Sequence, residues 1–149
     1  MNEKDMKILS FLRNDARISL TTMSRRTNIP VSTIFDKLKN YESKIITRHT
    51  TLIDFAKLGY PTRANISIKV DKDDREGLKS FLTLHQFVNS VYKINNGFDF
   101  MFEGIFKDLR DMEDFLELIE SKYKIIDHKS HFIVEDLKRE AFLSEPSLI

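Results

Sequence analysis

Residues 18–46 read ISLTTMSRRTNIPVSTIFDKLKNYESKII, and this stretch decides the fold of the first third of the chain. Ser19 is suited to N-cap a helix from Leu20 to about Thr27, because its hydroxyl can accept from a backbone N–H that has no partner inside the helix. Asn28-Ile29-Pro30 then makes a turn: Asn tolerates left-handed backbone, and Pro cannot continue the helix. A second helix follows from about Ser32 to Ser43, with Ile34, Leu38 and Tyr41 at i, i+4 and i+7 on one inward face. Upstream, Asn2 can cap an earlier helix, with Asp5 three residues on and Ile8, Leu9 and Leu12 as its apolar stripe. Asn14-Asp15 interrupts that pattern. Two short helices joined by a tight turn and preceded by a third are the layout of a helix-turn-helix.

Working outward, the charge is divided unevenly. The chain of 149 residues has a net charge of only +1. Residues 1–50 nonetheless hold ten Lys/Arg against five Asp/Glu, and the remainder holds fourteen against eighteen. A basic N-terminal module on an acidic remainder has the electrostatic footprint of a nucleic-acid binder. Ile45 to Ile53 alternates and is rich in β-branched residues, which predicts a strand. Residues 54–61 read as a hinge containing a helical turn.

Beyond Pro61 the pattern becomes strand-helix-strand, twice. Arg63 to Val70 alternates, and Asp73 opens a helix carrying Leu78, Phe81 and Leu82. Phe87 to Asn95 and Phe98 to Phe106 form the arms of a hairpin about Asn96-Gly97. Asp108 caps a helix bearing Met112, Phe115 and Ile119, and Ile126 to Val134 is the last strand before a polar tail. The order β-α-β-β-α-β is the ferredoxin-like plan, so the fold class is α+β with an N-terminal winged-helix-like helix-turn-helix. The expected organisation is residues 1–50 as the DNA-binding domain, 51–61 as a strand and hinge, and 62–149 as the dimerisation and effector domain. Both helices of this plan lie on one sheet face, and an apolar open face opposite them would pack on a second copy.

Composition narrows the function classes. Cysteine is absent, so disulfides and thiolate metal sites are excluded. His49, His85, His128 and His131 are scattered, and on a strand the spacing of the last two puts them on opposite faces, so no metal site is expected. No nucleophile elbow, Walker loop or dinucleotide fingerprint occurs, and four Gly leave little for a phosphate-cradling loop. Neither a catalytic residue nor a cofactor is expected. With no apolar run long enough for a membrane span, the expectation is a cytoplasmic protein with no membrane partner.

In a helix-turn-helix the second helix enters the major groove and its exposed N-terminal side chains reach base edges. Ser32, Thr33, Asp36 and Lys37 are those positions here, with Asn40 further along. Thr21, Thr22, Arg25 and Arg26 on the preceding helix, with Lys39 and Arg48, are candidate phosphate contacts. Phe35 flanks this face and is expected to tuck beside the first helix rather than reach a thymine methyl.

The stretch 18–46 resembles the hallmark of the Lrp/AsnC, or feast/famine, transcriptional regulators, of the type I-S-x-x-E-L-A-x-R-x-G-L-S-x-S-T-V-x-x-R-V-x-x-L-E. The resemblance continues through HTTLIDFAKLG at 49–59, YKINNGFD at 92–99 and the order of strands and helices. Departures are Asn28 for the turn Gly, Pro30-Val31-Ser32-Thr33 at the entry to the reading helix with Ser32 expected as its cap, and Phe35-Asp36-Lys37 where relatives often carry Arg. The resemblance implies double-stranded DNA as partner, a homodimer or an octamer, and an amino-acid effector held near the hairpin by Asn95, Asn96, Gly97 and Asp99. There, backbone N–H groups would take its carboxylate and Asp99 its ammonium. A scaffold that ignores DNA and a sirohaem-decarboxylase-like enzyme are the alternatives on the same architecture.

Overall fold

A computed structural model describes residues 2–149. The chain divides into two compact units, one made of residues 1–52 with 136–149 and the other of residues 53–135.

The first unit is built on three helices, α1 (Glu3–Asn14), α2 (Leu20–Thr27) and α3 (Val31–Lys44). Their ends follow from local chemistry. Asn2 and Asp5 form a reciprocal capping box, each side chain accepting from the other's backbone N–H. The Ser19 hydroxyl accepts from Thr22 N–H, and Asn28 ends α2 in the left-handed region at φ 56°. The cap of α3 differs from expectation. Pro30 occupies the N-cap without a side-chain bond, and Ser32 lies inside the first turn. The ring of Pro30 presets φ at −55°, which starts the helix one residue early. Ile8, Leu9, Phe11, Met23, Ile29, Ile34 and Tyr41 form the buried core, with Leu12, Ile18, Leu20 and Leu38 packed against it.

The strand expected over 45–53 is absent: residues 46–54 form neither helix nor strand. A ladder needs a second strand, and one chain offers none to this stretch, so its β-branched residues have the propensity without the partner. The helical turn in the hinge is present, as a 3₁₀ turn over Ala56–Leu58 that Gly59 ends at φ 89°.

The tail also departs from expectation. Residues 136–149 belong with the helices, not with the sheet. Arg13 of α1 donates to the carbonyls of Phe142 (3.0 Å) and Glu140 (2.9 Å), and Leu143 packs on the helical core. Glu140 and Leu143 hold φ of 49° and 56°, a conformation that costs energy without Gly and persists only where surrounding contacts fix it. Deleting residues 136–149 is therefore expected to lower the thermal stability of the helical unit, and Arg13→Ala should reproduce part of that loss. Unchanged melting of the truncated chain would rule the contact out as a stabilising one.

The second unit is a four-stranded antiparallel sheet in the order β2-β3-β1-β4, from β1 (Thr62–Val70), β2 (Val88–Lys93), β3 (Phe100–Phe106) and β4 (Ile125–Phe132). With α4 (Arg75–Leu84) and α5 (Leu109–Lys122) it completes the ferredoxin-like order. Alternation dictates the faces. Ala64, Ile66, Ile68 and Val70 of β1 and Phe100, Phe102 and Phe106 of β3 join Leu78, Leu82, Met112, Phe115 and Ile119 of the two helices in one core. Gly104 belongs to this face, and a Cβ there would lie 2.5 Å from the Phe106 ring. Phe106 is fully buried against Phe87 and Phe115 and cannot swing away. Gly104→Ala should cost about 1–3 kcal/mol from overpacking, read by chemical denaturation; a neutral substitution would show that the ring can yield.

The opposite face is not the apolar surface expected. The Phe row of β3 lies under the helices, and Met101, Glu103 and Ile105 point the other way. Glu103 accepts from Arg63 (2.9 Å) and Asn89 (2.6 Å), with the Arg63 and Glu103 side chains each 14% exposed. This face is a mixed surface with a charged pair at its middle.

Candidate nucleic-acid interface and effector cleft

Period 3.6 sorts α3 into two sides. Ile34 and Tyr41 are buried and Leu38 is half-buried, whereas Ser32, Thr33, Phe35, Asp36, Lys39 and Asn40 share the exposed side. Thr21, Arg25 and Arg26 of α2 and Arg48 beyond α3 are exposed, and Thr22 is half-buried with its hydroxyl accepting from Ser19. Arg26 also lies over the Phe11 ring at 4.7 Å, which fixes the guanidinium against α1.

Two residues sit otherwise than expected. Lys37 leaves the exposed face: its ammonium meets the Asp5 carboxylate of α1 at 2.5 Å. Tyr41 donates to the same Asp5 oxygen at 2.5 Å. Asp5 thus serves both the capping box and the α1–α3 contact. The Asn2 N–H, then Lys37 and Tyr41, hold its carboxyl well below the usual carboxylate range. Burial and the Asp5 hydrogen bond push the Tyr41 phenol up. Phe35 does not tuck beside α1; it is 45% exposed, with the Lys39 ammonium 4.5 Å from its ring centroid. The Phe35–Lys39 spacing of four on a helix could have signalled that pair. Nothing local could have signalled Lys37–Asp5.

In the sheet unit, Asn96 (φ 65°) and Gly97 (φ 93°) form the turn between β2 and β3. Asp99 is anchored: one carboxylate oxygen accepts from Val70 N–H at 2.9 Å and the other meets Arg75 of α4 at 3.0 Å. Both oxygens therefore already hold the protein's own donors. Asp99 also lines a cleft of about 260 Å³ between α4 and β2, with Arg75, Lys79, Tyr92, Lys93 and Phe100 among its walls. Asn95, Asn96 and Gly97 are not among its lining residues. His128 meets Glu120 of α5, whereas His131 lies in register with Asn65 on the other face; no group able to hold a metal occurs among the described residues.

Comparison with known proteins covers the helices and the sheet separately. The family description "Lrp/AsnC ligand binding domain" matches residues 63–142, and "Winged helix-turn-helix DNA-binding" matches residues 1–44. The chain belongs to the Lrp/AsnC family. It is an HTH-type transcriptional regulator with a ligand-binding domain. The Bacillus subtilis transcriptional regulator AzlB is 31% identical over 120 residues, covering 78% of this chain and 76% of AzlB. An HTH-type transcriptional regulator of Pyrococcus furiosus is 28% identical over 147 residues, covering 98% and 99% of the two chains. Among solved structures, a transcriptional regulator of Neisseria meningitidis in complex with L-Met superposes with a TM-score of 0.87 at 22% identity, covering 93% of each chain. LrpC of Bacillus subtilis gives 0.84 at 24% identity, covering 93% of this chain and 97% of that one. In this Lrp/AsnC regulator no helix among the described residues is long and apolar enough to cross a membrane.

Proposed function

We propose that this regulator binds duplex DNA sequence-specifically as a homodimer, reading base edges with the exposed side of α3, and that a small molecule of the amino-acid class modulates it through the sheet unit. The observation that carries the reading is the collection of Ser32, Thr33, Asp36 and Asn40 on one exposed helix face, flanked by Arg25, Arg26, Lys39 and Arg48. Ser and Thr serve either base edges or phosphates, Asp accepts from cytosine N4, Asn pairs with adenine, and the cations suit phosphates. Lys37, drawn toward Asp5, supports the fold of this unit before any contact with DNA.

Two substitutions separate the roles. Arg25→Ala should weaken binding by a similar factor on every sequence and lower the salt slope by about 1. Asn40→Ala should instead alter which sequences are preferred. Anisotropy titrations on fragments of the regulator's own promoter region check both, and identical behaviour of the two variants would contradict the division of labour. Dimers, or larger assemblies up to the octamer, would appear in sedimentation velocity.

The effector reading is supported by the family description of the sheet unit and by the α4–β2 cleft, where Lys79 and Lys93 offer ammonium groups to a carboxylate above the apolar Val91 and Phe100. Thermal-shift screening against the amino acids tests it. A stabilising amino acid whose effect is lost in Lys93→Ala is expected; no shift with any of them would sink this part.

A further inference from the structure

Phe35 is the large apolar side chain on the face of α3 that otherwise presents Ser32, Thr33, Asp36, Lys39 and Asn40. It takes no part in the helical core, and almost half of its surface meets solvent. The exposed part of the ring gains nothing for folding, since that apolar area stays in water. The ring is nevertheless held in place. Lys39, one turn on, sets its ammonium 4.5 Å from the ring centroid, so one face of the ring carries a cation while almost half of the side chain stays open to solvent.

A flat apolar surface beside an ammonium matches one feature of a major-groove wall. The C5-methyl of thymine is the groove's apolar group, and the phosphates that border the groove take a cation. We infer that Phe35 is a specificity-determining residue that packs on a thymine C5-methyl, with Lys39 on the neighbouring phosphate. This rests on the DNA-reading role of α3 argued above and names one base and one atom for it.

Deoxyuridine lacks only the C5-methyl, so it tests the contact without altering the protein. A binding site is first selected from a random duplex library with the wild-type chain, and each thymine is then replaced singly by deoxyuridine. At one thymine per half-site the wild type should lose roughly fourfold in affinity, as expected for one buried methyl. 5-Methylcytosine at that position should restore part of the loss relative to cytosine. Phe35→Ala should be indifferent to the methyl at that position, with at most a small loss of thermal stability because the ring lies outside the helical core. Indifference of the wild type to every deoxyuridine overturns the inference, as does a Phe35→Ala chain that keeps the same methyl preference. A Phe35→Ala change in sedimentation with base preference intact also overturns it, assigning the ring to a contact between copies. Failure of the wild type to select any duplex would overturn the underlying DNA-reading role instead.

Discussion

Phe115→Ala should destabilise the sheet unit by about 3–5 kcal/mol, the range for removing a buried Phe. The side chain is 3% exposed and stands where the helices meet the sheet. Its ring centroid lies 4.7 Å from His85, 5.5 Å from Phe106, 5.8 Å from Phe102 and 6.0 Å from Phe81, so one truncation opens a cavity shared by α4, β3 and α5. Aromatic neighbours in tilted and edge-on arrangements contribute beyond their buried area, and stiff rings collapse poorly into a void. His85 shares this environment, where burial, aided by Lys122, pushes the imidazole down. Chemical denaturation of the variant reads the effect. A loss below 1 kcal/mol would mean that the cluster repacks, contrary to the rigidity inferred from its geometry.

Asp5→Ala should destabilise the helical unit by about 2–3 kcal/mol, from loss of the cap and of the charge-assisted bonds to α3. One carboxylate serves three donors. One oxygen accepts from Asn2 N–H, and the other from Lys37 and Tyr41. Removing it leaves the buried Tyr41 hydroxyl without that acceptor and unties α3 from the start of α1. DNA affinity should fall with stability, because α3, the helix proposed to read DNA, loses its anchor. A double-mutant cycle of Asp5→Ala with Lys37→Ala isolates the coupling, and strict additivity would show that the pair contributes nothing.

The same site fixes a pH dependence with two limbs. The Asp5 carboxyl is depressed in the folded chain, so its contribution is full above the ordinary carboxylate range and is lost as pH falls below about 4, where the unfolded chain takes up a proton first. The Tyr41 phenol is raised, so its contribution is full below about pH 10 and declines as pH rises beyond it, where the unfolded chain gives up a proton first. The acid limb should flatten in Asp5→Ala, and the alkaline limb only in part, because burial, the larger cause of the Tyr41 shift, remains.

Much of the fold was legible because its signals are local. Asn2 with Asp5, Ser19, Asn28 and Asp108 each act within a few residues, and the structure uses each as a cap or a turn. The alternation of β1 and β3 is likewise a property of the strand itself. What was not legible depends on remote partners. The stretch 45–53 has strand composition, but it joins no β-ladder among the described residues. The tail's place on α1 depends on Arg13 reaching carbonyls more than a hundred residues away. Phe11 enters the core off the expected stripe, and Ser10 beside it is buried with its hydroxyl unpaired among the described residues.

The candidate interface divides in the same way. Of the residues expected on the reading face, Ser32, Thr33, Asp36 and Asn40 share one exposed side of α3, and Lys39, expected at a phosphate, lies beside them. Lys37 follows the same period but sits at the edge of that face, where a carboxylate 32 residues away captures it. Asp99 is another long-range case: the hairpin turn was visible, but not the bonds to Val70 and Arg75 that occupy its carboxylate.

The most direct test of the DNA-reading account is a salt titration. Affinity for the regulator's own promoter fragment is measured by anisotropy from 50 to about 200 mM salt, alongside an unrelated duplex of equal length. If α3 and its basic flank engage DNA, log affinity falls linearly with log salt, and the promoter fragment stays at least roughly a thousandfold tighter than the unrelated duplex. Equal affinity for both duplexes, or binding indifferent to salt, would contradict it.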